Sequence, residues 1–110
     1  MLLSPQRDVP AVRRFLHTNG FAINDEVLLE DAGRFYHILD CSVGASAPYD
    51  EVGYLFGEKL ITSGSAAFAR YLQAEIAKTA AALSSVAASS PRYAELNQYL
   101  QLCKKLTSEV

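Results

Sequence analysis

The residues of this chain that could do chemistry are two histidines, two cysteines and a dozen acids, and no group of them forms a catalytic pattern. His37 and Cys41 share one face of an alternating segment. Four residues along a strand span roughly 13 Å, too far to hold one metal ion without further ligands. Asp25 and Glu26 place two acids together, but neighbours on a strand point to opposite faces, so the pair reads as a solvated turn or edge. His17 falls on the polar side of a helical segment near its end, where an exposed imidazole suits the helix dipole. Gly57-Glu58-Lys59 lacks the glycines that a phosphate loop carries ahead of its lysine. Ser63 and Ser65 have no partnered histidine and read as helix-capping residues. Cys41 and Cys103 have no CxxC or CxxH neighbours, which fits buried free thiols in a reducing cytoplasm and excludes a disulfide scaffold or a Cys-rich zinc module.

The elements that must position these residues follow from composition and pattern. A chain of 110 residues, half apolar and one-fifth charged, makes one domain or a small domain with an appendage. Its apolar runs are too short to span a bilayer, so no membrane association is expected. Met1-Leu2-Leu3 gives way at once to Ser4-Pro5-Gln6-Arg7-Asp8, which is no secretory signal. The net charge of −2 argues against a generic nucleic-acid binder. The charge is unevenly spread: residues 1–58 sum to −5 and residues 59–110 to +3. Five bases of the back half, Arg70, Lys78, Arg92, Lys104 and Lys105, are candidates for phosphate contacts. Arg13, Arg14 and Tyr36 are secondary candidates, for which burial or solubility is a sufficient reason.

The front half reads as strand, helix, strand, strand. Met1 to Ser4 looks like the tail of a buried strand. Asp8 is an N-cap with Pro10 in the first turn. Val9, Val12, Phe15 and Leu16 then recur at helical spacing, with Arg13, Arg14 and His17 on the other side. Asn19-Gly20 closes the helix. Phe21 to Leu29 alternates with Phe21, Ile23, Val27 and Leu29 on one face, and Asp25 bends or restarts the strand. A turn at Glu30-Asp31-Ala32-Gly33 leads into Arg34 to Val43, the clearest strand, apolar on both faces and therefore central and covered on both sides. Asp50 caps a short helix through Phe56, which Gly57 ends.

Beyond Gly64 the pattern changes. Phe68, Leu72, Ile76, Thr79, Leu83 and Val86 form one helical seam, starting from a Ser65 cap. Ser90 and Pro91 then open a second seam of Tyr93, Leu96, Leu100, Cys103 and Leu106, with Tyr99 alongside. Two such helices with a short connection run antiparallel, as a coiled-coil arm. The expected division is 1–44 for the α/β part, 45–64 for a linker with a short helix, and 65–110 for the hairpin.

Particular residues narrow this pattern. The stretches Leu2-Leu3-Ser4-Pro5-Gln6, Val12-Arg13-Arg14-Phe15-Leu16 and Asn19-Gly20-Phe21-Ala22-Ile23 are similar to the bacterial tRNA adenine-22 N1-methyltransferase family. So are Glu26, Glu30-Asp31, Phe35-Tyr36-His37-Ile38-Leu39 and Tyr54-Leu55-Phe56-Gly57-Glu58-Lys59-Leu60 followed by a helical hairpin. The resemblance covers essentially the whole chain but only the C-terminal half of such an enzyme. Where the family's pattern has a proline after the Phe-Gly pair, this chain has Glu58. The resemblance implies an α/β fold: the end of a Rossmann-like methyltransferase sheet (β-α-β-β, the last strand antiparallel and central), then an antiparallel helical hairpin. It also implies a family activity, S-adenosylmethionine-dependent methylation of tRNA at an adenine N1, with the arm assisting tRNA binding. The family's glycine-rich loop, ribose-binding acid and base-facing segment would belong upstream of Met1. Residues 1–110 alone are then expected to bind no S-adenosylmethionine and to be inactive.

The other reading is a stand-alone interaction or oligomerisation module without catalysis. It rests on a sheet edge at residues 1–4 that invites pairing and self-association.

Overall fold

The computed structural model describes residues 1–109. The chain forms two compact units, Met1–Ala67 and a second beginning at Phe68.

In the first unit the order is β1 (Leu2–Leu3), α1 (Val9–Thr18), β2 (Phe21–Asp31), β3 (Arg34–Val43), α2 (Glu51–Phe56) and α3 (Glu58–Ser63). The sheet order is β1-β3-β2, with β3 antiparallel to both neighbours. The last strand is therefore central and antiparallel, as the sequence leads one to expect. Asp8 caps α1 by accepting a hydrogen bond from the Ala11 amide at 3.3 Å. The turn between β2 and β3 uses Ala32 (φ 51°) and Gly33 (φ 78°). Two positive φ values in a two-residue loop give the backbone twist that an antiparallel hairpin favours. One side of the sheet packs on α1 through Leu16, Ile23, Leu39 and Cys41, with Leu3, Val9, Val12, Phe21 and Tyr49 around them.

Two details differ from the sequence reading. The first is the face of β2. Pairing runs Phe21↔Val43, Ala22↔Ser42 and Ile23↔Cys41, then resumes as Asp25↔Asp40 and Glu26↔Leu39, so β2 carries one extra residue. Such a bulge reverses which side chains face the core. Ile23 points inward before it, whereas Glu26 and Leu28 point inward after it. Val27 and Leu29, expected on the Ile23 face, are instead 45% and 49% exposed. The outer face of β3 is correspondingly only half-covered at Tyr36, Ile38 and Asp40.

The second detail is the linker. Asp50 caps α2 as expected, accepting from the Gly53 amide at 2.8 Å. Beyond Gly57, however, lies a second short helix, α3, that buries Leu60. Its six residues show too little periodicity to announce a helix. Gly64, in the left-handed region, ends α3.

The second unit holds most of α4 (Ala66–Leu83) and all of α5 (Pro91–Glu109). Ser90 caps α5 by accepting from the Tyr93 amide at 3.1 Å. Phe68, Leu72 and Thr79 of α4 are buried, as are Leu100, Cys103 and Leu106 of α5. Across the hairpin the Tyr99 hydroxyl donates to Glu75 Oε1 at 2.7 Å. Burial, together with that bond, holds the Tyr99 phenol well above its usual range. Burial also pushes the Cys103 thiol up to about 11, so it stays protonated at neutral pH. Among the described residues no helix is long and apolar enough to cross a membrane.

Candidate functional site

The first unit gathers its buried charge at one place. Arg13 on α1 is fully buried, and Glu26 on β2 and His37 on β3 are 3% and 8% exposed. Arg13 Nε donates to Glu26 Oε1 at 3.0 Å, and Nη2 donates to Glu26 Oε2. The remaining Nη1 donates to the carbonyls of Tyr54 and Leu55 at 2.7 and 3.1 Å. His37 Nδ1 lies 3.4 Å from Glu26 Oε2. Burial alone would raise the Glu26 pKa. Hydrogen bonds from His37 and Arg13, with the Arg13 charge, outweigh it and hold the carboxyl below its usual range. A fork-to-fork pair of this kind is the strong, directional form of the contact.

This placement corrects three expectations. Glu26 is not a solvated acid, because the bulge turns it inward. Arg13 is not on the polar side of α1 and cannot meet RNA. Phe15, expected on the apolar stripe, is 61% exposed instead. The signal was in the spacing: Arg13 stands four residues after Val9 and three before Leu16, inside the core-facing stripe.

His17 also departs from expectation. Its ring is half-buried, edge-on to Tyr49 at 4.6 Å and to Tyr54 at 5.6 Å between ring centroids. Nδ1 bonds the Tyr54 hydroxyl at 3.0 Å, and Nε2 has no hydrogen-bond partner among the described residues. Burial lowers its pKa, partly offset by the Glu58 charge. Arg14 stacks over the Tyr54 ring at 4.6 Å and pairs with Glu51 at 2.7 Å at the surface. No group of three or more His, Cys, Asp or Glu among the described residues is placed to hold a metal ion.

The five bases of the back half lie on the two helices of the hairpin. Arg70, Lys78, Arg92, Lys104 and Lys105 are all exposed. Lys78 lies 3.8 Å from Glu75, and Arg92 lies 3.4 Å from Glu95.

The sheet order, the central antiparallel last strand and the helical hairpin together match one family. The family profile for tRNA (adenine(22)-N(1))-methyltransferase matches residues 1–106. The chain belongs to that family. A candidate tRNA (m1A22) methyltransferase from Streptococcus pneumoniae, Sp1610, superimposes with a TM-score of 0.89 at 28% identity, covering 96% of this chain and 48% of its own. The same protein in complex with S-adenosyl-L-methionine gives 0.84 at 28% identity, over 96% and 46%. The Bacillus subtilis m1A22 tRNA methyltransferase TrmK gives 0.78 at 25%, over 96% and 50%. The chain thus spans about half the length of the solved relatives it matches. No curated protein matches it.

The N-terminus of α1 is occupied by the Asp8 carboxylate, which an anionic ligand would have to displace. The buried polar groups Arg13, Glu26 and His37 are turned toward one another.

Proposed function

We propose that residues 1–110 do the work of the C-terminal portion of an S-adenosylmethionine-dependent tRNA (adenine-N1)-methyltransferase, with the helical hairpin assisting tRNA binding. The observation that carries this reading is the family match over residues 1–106. It is supported by the fit of nearly the whole chain to about half of each solved relative. In this reading Arg70, Lys78, Arg92, Lys104 and Lys105 meet phosphates by charge and carry no sequence information. S-adenosylmethionine is the donor for the complete family enzyme, and these residues by themselves neither hold it nor turn over. The site of action is the cytoplasm, where tRNA is modified.

An unmodified tRNA transcript with adenosine at position 22 tests this directly. The parent chain is expected to shift it, with a salt-dependent affinity. Lys104→Glu with Lys105→Glu should weaken binding and flatten the logarithmic salt dependence by about one to two units. Equal affinity of parent and variant at low salt would refute the role of these lysines. Calorimetry with S-adenosylmethionine should give no saturable heat, and tight binding would refute the proposed division of labour.

A second reading, a self-associating module without catalysis, draws on the outer face of the sheet. There Leu2 on the β1 edge is 70% exposed, and Val27 and Leu29 on β2, at the opposite edge, are 45% and 49% exposed. Light scattering separates the two: a fixed dimer that leaves tRNA unshifted favours this reading, and a monomer that shifts tRNA favours the first.

A further inference from the structure

The bulge that turns Glu26 inward turns Val27 and Leu29 outward, onto the side of the sheet away from Leu16. Alternation beyond the bulge places Asp25, Val27, Leu29 and Asp31 of β2 on this outer side. Their ladder partners on β3 are Asp40, Ile38, Tyr36 and Arg34, and Leu2 of β1 pairs with Asp40 from the other flank. The outer face is thus built in rows. Its two middle rows, Val27 with Ile38 and Leu29 with Tyr36, are apolar or aromatic, and Val27 and Leu29 are about half-exposed.

The two ends of this face differ in charge. At one end Asp25 and Asp40 stand directly opposite each other, and like charges so placed repel. The Met1 ammonium lies 3.9 Å from Asp40, but both groups are half-exposed, so it relieves the pair only in part. At the other end Arg34 is exposed and makes no ion pair among the described residues, although Asp31 is its partner across the ladder. A face with an apolar middle, paired acids at one end and an unpaired guanidinium at the other complements itself when turned end for end. A two-fold axis across the strands sets Val27 and Ile38 of one copy on Leu29 and Tyr36 of the other. It also carries each Arg34 to the other copy's Asp25 and Asp40. An axis along the strands would instead set acids against acids. Facing sheets pack about 10 Å apart with strands nearly aligned, a gap that an arginine at the rim can cross to a carboxylate.

We propose that the outer face of this sheet docks a second copy of the chain in an end-for-end two-fold dimer, with Arg34 of each copy on Asp25 and Asp40 of the other. The inference rests on the self-association reading and gives it a surface; it is independent of tRNA binding. In such an isologous contact each charge pair occurs twice, so one substitution acts at both ends of the interface.

Sedimentation velocity of the full chain over a concentration series tests it. The parent is expected to dimerise. Arg34→Asp alone, and Asp25→Lys with Asp40→Lys alone, each set like charge against like and should raise the dimer dissociation constant about tenfold or more. Mixed together, the two variants should associate again, because every rim contact then joins opposite charges. Val27→Lys should weaken the parent dimer as well. If the double lysine variant fails to fold by circular dichroism, Asp40→Lys takes its place in the mixture. A parent dimer that all these variants leave intact overturns the proposed face while self-association stands. Weakened variants that do not recover on mixing overturn the end-for-end arrangement. A parent chain that stays monomeric throughout defeats the self-association reading and the proposal with it.

Discussion

In the first unit a guanidinium and a carboxylate are almost fully buried and answer each other, whereas in the hairpin every lysine and arginine is exposed. The two regions use charge for different ends. Taken out of water, Arg13 and Glu26 act over hydrogen-bond distances and specify one backbone arrangement. Left in water, Arg70, Lys78, Arg92, Lys104 and Lys105 contribute little to the fold, since exposed pairs are worth about 0–1 kcal/mol. What they offer is a field that another charged molecule can meet. Glu75 marks the border between the two uses, half-buried against Tyr99 and also 3.8 Å from exposed Lys78.

The sharpest way to break this contrast is to orphan one buried charge. Arg13→Met alone leaves Glu26 without its main partner and is expected to cost about 3–5 kcal/mol by chemical denaturation. Arg13→Met combined with Glu26→Leu, which removes both charges and keeps the volume, should recover most of that. Gly57→Ala comes next: a left-handed backbone and a contact against two ion-paired groups should cost about 1–3 kcal/mol in the same assay. Ala32→Gly lies at the small end. It relieves a left-handed non-glycine residue in the hairpin turn and should stabilise by at most about 1 kcal/mol.

Acid sharpens the comparison in another way. The folded-state pKa of His17 is depressed below its unfolded value of 6.5, so protons bind the unfolded chain more readily. Stability of the first unit should therefore be full above that pH and begin to fall as pH drops below about 6.5. Glu26 is depressed below 4.5, so a second loss should follow at lower pH, as its carboxyl takes up a proton. Denaturation curves at pH 8, 6 and 4 check this, and His17→Gln should remove the upper step alone. A parent chain equally stable at pH 8 and pH 5 would contradict the lowered pKa of His17.

Much of the fold was legible because it depends on local signals. Asp8, Asn19-Gly20, Ala32-Gly33, Asp50 and Ser90-Pro91 mark element ends through backbone chemistry that neighbours do not alter. The seams of Phe68, Leu72 and Thr79 and of Leu100, Cys103 and Leu106 recur at helical spacings of three, four or seven residues. The buried cluster was not legible, because it depends on pairing. Whether Glu26 faces core or solvent is decided by one extra residue in β2, and that extra residue exists only relative to β3. Arg13 stood in the apolar stripe of α1, but only knowledge of a facing carboxylate makes an arginine there acceptable. His17 was misplaced for the same reason: Tyr49 and Tyr54, which enclose it, arrive more than thirty residues later.

The extra residue in β2 behaves like a change of reading frame. Removing Asn24 would restore simple alternation along the strand and leave everything after it in place, with Asp25 still opposite Asp40 and Glu26 still opposite Leu39 on the core side. Such a deletion should therefore be tolerated with Arg13 unchanged. Drawing Asn24 into the ladder without a deletion would do the opposite, turning Glu26 and Leu28 outward and leaving Arg13 with no anion to meet.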